Sequence, residues 1–213
     1  MSYARGVLIG IVMMSASVLV LLLFNAITHK TPVISQTHRE DLAGASLAFL
    51  GWMLQGLKEE CVYRGWLLPL LGVRYKPWPS IIFSSLAFAL MHITNPHVTL
   101  IGVMNLTLFG VFCAVYALAT DNLWGVAGMH AAWNWTEGHV FGLPVSGISY
   151  HGGSMVVFQN SKNVWLNGGA FGPEGGVAVT VVLLLSIIFA SLVLRFRIQP
   201  FFPSVFPAKR RAA

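Results

Sequence analysis

Charge is scarce in this chain. Only 9% of its 213 residues are Asp, Glu, Lys or Arg, against 56% hydrophobic ones. Soluble domains carry roughly 25% charged residues, so too little charge is present here to cover a water-facing surface. Acidic residues are the fewest, 7 against 13 Lys and Arg. The basic excess sits mainly at the ends of hydrophobic runs and in the stretch from Arg195 to Arg211, with no basic patch interleaved with aromatics. That pattern excludes nucleic acid as an expected partner and is explained by membrane topology. Cysteine is nearly absent: Cys61 and Cys113 lie in apolar stretches without a CxxC partner, read as buried thiols and set no redox compartment. Internal repeats and a second domain are also missing. What remains is hydrophobic sequence, with a mean hydropathy of +0.72. It points to an all-α fold, a polytopic membrane helix bundle.

The runs predict about six transmembrane helices. The first, Gly6 to Ala26, has the length of a membrane span, about 20 residues, and exceeds a signal-peptide core of about 7–15. A polar linker, His29 to Asp41, follows. The second run, Leu42 to about Leu71, is interrupted by Lys58-Glu59-Glu60 and Arg64, and Gly72 with Lys76-Pro77-Trp78-Pro79 ends it. Further helices are expected over Ser80–Thr94, Thr99–Ala119 and Leu123–Glu137. Residues 138–176, rich in Gly, Ser and Asn, read as a long extramembrane loop, and Val177–Leu194 as a last helix before a basic tail. The chain thus divides into an N-terminal helix and linker (1–41), a helical core (42–137), a Gly-rich loop (138–176) and a C-terminal helix with its tail (177–213). With six spans, Arg5, Arg74, Lys76, Arg195, Arg197, Lys209, Arg210 and Arg211 fall outside the helices on one side, against Lys30, Arg39 and Lys162 on the other. The bias predicts a multi-pass protein of the plasma (inner) membrane with both termini cytoplasmic.

Ionisable residues inside a membrane are costly and are functional candidates by default. Glu60 and Arg64 stand at i,i+4 and share a helix face, as do His130 and Asn134. Glu59 lies about 100° around the helix from Glu60, so one carboxylate can neutralise the arginine while the other is left for chemistry. Glu59 is 12 residues before Leu71 and His92 is 12 after Ser80, which puts both roughly 18 Å from the connection at 72–79. His130, 7 residues past Leu123, is roughly 10 Å from the other turn on that side, and helix tilt can bring the three to one level. Each group has a plainer reading. A Glu-Arg pair can hold helices together, and a single membrane His or Asn can be interhelical glue. Two histidines, an asparagine and a spare carboxylate on three consecutive helices favour a cluster that does chemistry. Asp121 reads as a helix-start residue, and His29, His38, His97, His139 and His151 fall in linkers or loops.

Glu59-Glu60-x-x-x-Arg64, Phe88-x-x-x-His92 and His130-x-x-x-Asn134, in this order within hydrophobic helices, resemble the CPBP family of CAAX-protease and bacteriocin-processing (Abi) intramembrane peptidases. The similarity covers about Leu42 to Glu137. Between the histidines the family often has Phe-x-x-Gly-x-x-x-Gly, where this chain has Thr107, Gly110 and Ala114. The resemblance implies peptide-bond hydrolysis within the membrane. Carried over by position, Glu59 and His92 would activate water, His130 and Asn134 would stabilise the oxyanion, and Glu60 and Arg64 would form a structural ion pair. Expected partners are membrane lipid and a peptide or membrane-protein substrate.

No cofactor is expected on this reading. The alternative is a zinc site built from Glu59, His92 and His130, since two histidines and a carboxylate form a catalytic ligand set. No His-Glu-x-x-His helix is present. A non-catalytic membrane adaptor or immunity protein on the same scaffold is a third reading, against which the intact Glu59, His92, His130 and Asn134 argue. A transporter is poorly supported by a chain without an inverted repeat.

Overall fold

A computed structural model describes residues 2–30, 38–150 and 153–194. The basic tail from Arg195 and most of the polar linker lie outside the described residues. In chain order the elements are α1 (Ser2–Leu23), a short strand β1 (Ile27–His29), α2 (His38–Glu60), a π-helical stretch (Cys61–Leu67), α3 (Leu68–Arg74) and α4 (Pro77–Leu90). Then come α5 (Leu100–Thr120), α6 (Leu123–Trp135), a second π-helical stretch (Thr136–Val140), β2 (Phe158–Asn160), α7 (Val164–Asn167) and α8 (Val177–Leu194).

Local chemistry accounts for the boundaries. Residues 38–74 run as one helix with an inserted π turn, because Pro69 has no N–H for the Gly65 carbonyl. The Leu68 amide instead donates five residues back, to Tyr63. Pro77 opens α4 behind an extended Lys76. Thr99 caps α5 by accepting from the Gly102 amide at 3.0 Å, and Asn122 caps α6 by accepting from Trp124 and Gly125. Asp121 is not a helix-start residue: it closes α5 in the left-handed region, φ 47°. The third helix is shorter than expected. It stops at Leu90, and His92 lies beyond it in a turn held by three-residue steps, His92 to Ala89 and Asn95 to His92.

Small residues set the helix approaches. A Cβ on Gly6 would lie 1.8 Å from the Gly125 carbonyl oxygen, and one on Gly10 2.3 Å from that of Met129, so α1 and α6 pack backbone to backbone. The core that results is built around Trp133, Phe88, Phe171, Met129 and Leu183. Outside it, Leu184, Leu185, Ile188, Phe189 and Leu192 of α8 and Leu8, Val12 and Leu19 of α1 are exposed, as a lipid-facing surface requires.

Among the described residues the fold is a mainly helical bundle with one two-stranded ribbon, in which β1 pairs antiparallel with β2. Two of the described helices, α1 and α5, are each long and apolar enough to cross a membrane, and α4 and α8 are shorter apolar helices. The expected count of about six spans is therefore not reached on length and composition. Polar groups interrupt the second run, and α6 ends after 13 residues. The segment 138–176 folds back on one end of the bundle. Asn105 of α5 donates to the carbonyls of Glu174 (2.8 Å) and Gly176 (2.9 Å), and Phe171 is fully buried.

Candidate active site

Glu60 is the anchor of the polar centre. It is fully buried, and its Oε1 accepts from Arg64 Nη1 at 3.0 Å and from His130 Nδ1 at 2.7 Å. Arg64 Nη2 donates to the Gly110 carbonyl at 2.9 Å, which ties α5 to the π turn. Glu60 Oε2 and Arg64 Nε are buried without a hydrogen-bond partner, so these contacts offset the cost of burying the ion pair only in part. The bond to Glu60 also sets the ring of His130: Nδ1 carries a hydrogen and Nε2 points the other way, 3.8 Å from Glu59 Oε2. Sequence spacing gave the Glu60–Arg64 face but not the role of Glu60 toward His130, 70 positions away.

Glu59 turns from this pair toward open space. Its side chain is 17% exposed, Lys58 Nζ lies 4.0 Å from its Oε1, and its Oε2 is buried without a hydrogen-bond partner. His92, past the end of α4, uses Nδ1 on the Phe88 carbonyl at 3.0 Å, leaving Nε2 free. Asn134 Nδ2 donates to Gln55 Oε1 at 3.2 Å and keeps a second hydrogen.

All four of these side chains, Glu59, His92, His130 and Asn134, line one cavity of about 390 Å³. Phe88 stands behind it. Its buried ring lies 4.8 Å from that of His92 and 5.8 Å from that of His130, and the Arg64 guanidinium sits 4.8 Å from its centroid. One aromatic side chain thus holds both histidines and the cation in place.

Other lining residues had no role in the sequence reading. Gln55, Tyr63 and Asn95 come from the helical core, and Val145, Ser146, Ile148, Tyr150 and Glu174 from the Gly-rich segment. Burial first, then the Glu174 and Glu59 carboxylates, push the Tyr150 phenol above its usual range. His139 is buried, bonded through Nδ1 to the Gly153 carbonyl and packed on Trp52 and Tyr150. Glycine-rich composition concealed this wall. The one available sign was Glu174, an acidic residue in a loop with few others.

Among the described residues no group of three or more His, Cys, Asp or Glu side chains gathers at metal-binding spacing. The arrangement offers an unpartnered carboxylate oxygen, two imidazole Nε2 atoms and an amide around a space large enough for a peptide bond and a water.

Residues 42–136 match the family model described as Type II CAAX prenyl endopeptidase Rce1-like. No curated protein and no solved structure matches the chain.

Proposed function

We propose, from the match of residues 42–136 to the Rce1-like type II CAAX prenyl endopeptidase model, a family of integral membrane peptidases, that the protein is an intramembrane peptidase with a metal-free, glutamic-type mechanism in the cavity described above. The observation that carries it is the convergence of Glu59, His92, His130 and Asn134 on one cavity. A water placed between the Glu59 carboxylate and His92 Nε2 gives its proton to the carboxylate and attacks the scissile carbonyl carbon. The carbonyl oxygen becomes an oxyanion, which accepts from Asn134 Nδ2–H and is faced by the His130 ring that Glu60 orients. Collapse of the tetrahedral intermediate expels the amine, which takes the proton back from Glu59. No step is assigned to a metal.

The apolar walls, Val62, Met91, Leu106, Phe109, Val145 and Ile148, suit an apolar peptide segment. The substrate is read as a hydrophobic or prenylated peptide, or a membrane protein. The bundle is read as crossing the membrane through α1, the 38–74 helix, α4, α5, α6 and α8, with both termini cytoplasmic. The polar breaks in the 38–74 helix and the shortness of α6 are accommodated because those segments line the cavity instead of facing lipid.

Two internally quenched apolar peptides, one of them ending in an S-farnesylated Cys-a-a-X sequence, test the reading on detergent-purified protein. Glu59→Gln keeps shape and loses the proton acceptor, so turnover collapses while the folded state survives. Metal content is measured beside activity. Stoichiometric zinc in active protein, lost in His92→Ala and His130→Ala, would replace the metal-free mechanism by the zinc one. Full activity in Glu59→Gln would overturn both.

A further inference from the structure

His92 has the weakest local support of the cavity's four candidate groups. It lies after the last turn of α4, where Met91, His92 and Asn95 are held by three-residue steps of 3.0–3.3 Å, a poorer geometry than the α-helix. What fixes this turn comes from the segment beyond the matched domain. Asn95 Nδ2 donates to the Ser146 carbonyl at 3.0 Å. Gly147, at φ 85°, lies so close that a Cβ there would be 1.9 Å from the Pro96 carbonyl oxygen. Ser146 is held at φ 47°, a left-handed conformation uncommon outside glycine, and its hydroxyl donates to Glu174 Oε2. The other oxygen of Glu174 accepts from Trp133 Nε1 at 2.9 Å. Trp133 is fully buried in α6 and stands between His130 and Asn134 in sequence.

We propose that Glu174 is a positioning residue that couples the turn carrying His92 to the helix carrying His130 and Asn134. The chain of contacts runs Trp133, Glu174, Ser146, Asn95 and so to His92, and no covalent neighbour supplies it. Glu174 cannot drift, because Asn105 holds its carbonyl from α5. Both its carboxyl oxygens are engaged by donors of this chain, which suits a brace better than a binding group for a substrate cation. Buried polar chains of this kind rigidify when every member is satisfied. The proposal deepens the peptidase reading and rests on it for its kinetic arm.

The test uses full-length protein in detergent, with Glu174→Ala, Glu174→Gln, Ser146→Ala and the Glu174→Ala/Ser146→Ala double variant. Diethyl pyrocarbonate modification of His92, read by peptide mass spectrometry against the exposed His29, needs no substrate. Acylation of His92 relative to His29 speeds up severalfold in the alanine variants and stays near wild type in Glu174→Gln. The Gln amide still accepts from Trp133, and the Ser146 hydroxyl can turn to accept from it. With the quenched peptides, kcat falls about tenfold to a hundredfold, the scale of a misplaced catalytic group. KM stays nearly constant, and the double variant loses no more than the worse single one. Should Glu174→Ala not fold, Ser146→Ala and Glu174→Gln carry the test. Unchanged His92 labelling in folded Ser146→Ala and Glu174→Ala overturns the proposal, as does a raised KM with kcat intact, which marks Glu174 as a substrate contact. If wild-type protein cleaves neither peptide, the peptidase reading fails, and the labelling still decides whether Glu174 positions His92.

Discussion

Glu59 and Glu60 are neighbours with the same chemistry, and the fold separates them. Glu60 is fully buried between a guanidinium and an imidazole, whereas the Glu59 side chain is 17% exposed and lines the cavity. Removing the cation should therefore hurt stability more than chemistry. Arg64→Ala strands a buried carboxylate, and the expected loss is about 3–5 kcal/mol, read as a lowered thermal midpoint in detergent. An unchanged midpoint would show that the pair contributes nothing. The proposed oxyanion groups should behave in the opposite way. His130→Ala and Asn134→Ala each lower kcat by roughly 10²–10³, the usual scale for one donor. For Asn134→Ala the thermal midpoint should move little, because its partner Gln55 lines the cavity and can turn to water. A kcat within a few-fold of wild type in Asn134→Ala would remove it from the mechanism.

Among the elements, α1 carries none of the candidate site groups, yet it is packed against the helix that carries two of them. Its Gly6 and Gly10 meet the α6 backbone, and Tyr3 closes on Gly128. Gly6→Val places side-chain atoms where the Gly125 carbonyl stands. Overpacking typically costs about 1–3 kcal/mol and shifts backbone, so both the melting temperature and kcat should fall. Leu8→Val on the outward face of the same helix should leave both unchanged. Equal behaviour of the two variants would mean that α1 is not a support for α6. The π turn at 61–67 is the second such element. It adds backbone between Glu60 and Leu68, and it is where Arg64 reaches across to Gly110. Pro69 was visible in the sequence, but its consequence was not, because a proline inside a helix can kink, end or bulge it.

At the scale of the molecule, the turn with His92, the ribbon β1–β2 and the segment 138–176 all lie at one end of the bundle, opposite the connections at 75–76 and 121–122. On the proposed topology, that end faces away from the cytoplasm. In a background lacking Cys61 and Cys113, Lys162→Cys should react with a membrane-impermeant maleimide on intact cells, and Lys76→Cys only after permeabilisation. The reverse pattern would invert the topology. The apolar character of α1, α5 and α8 was legible from hydropathy alone, and so was the grouping of Glu60 with Arg64 and of His130 with Asn134. These follow from transfer free energy and from a helical repeat of 3.6 residues, both properties of nearby sequence.

Tertiary structure decided the rest. That Glu60 orients His130 depends on a contact across 70 residues. That His92 stands outside α4 follows from where Leu90 ends the helix, and no strong stop signal precedes Asn95-Pro96 in the sequence. That a glycine-rich stretch supplies a wall of the cavity follows from Asn105, Trp133 and Asn95 binding it from three different elements. Hydropathy and helical periodicity already marked which segments are apolar and which polar side chains share a helix face, because those are local and periodic. Which of those faces meet, and which loop closes over them, was settled by close packing at small residues and by buried polar groups that must find partners far along the chain.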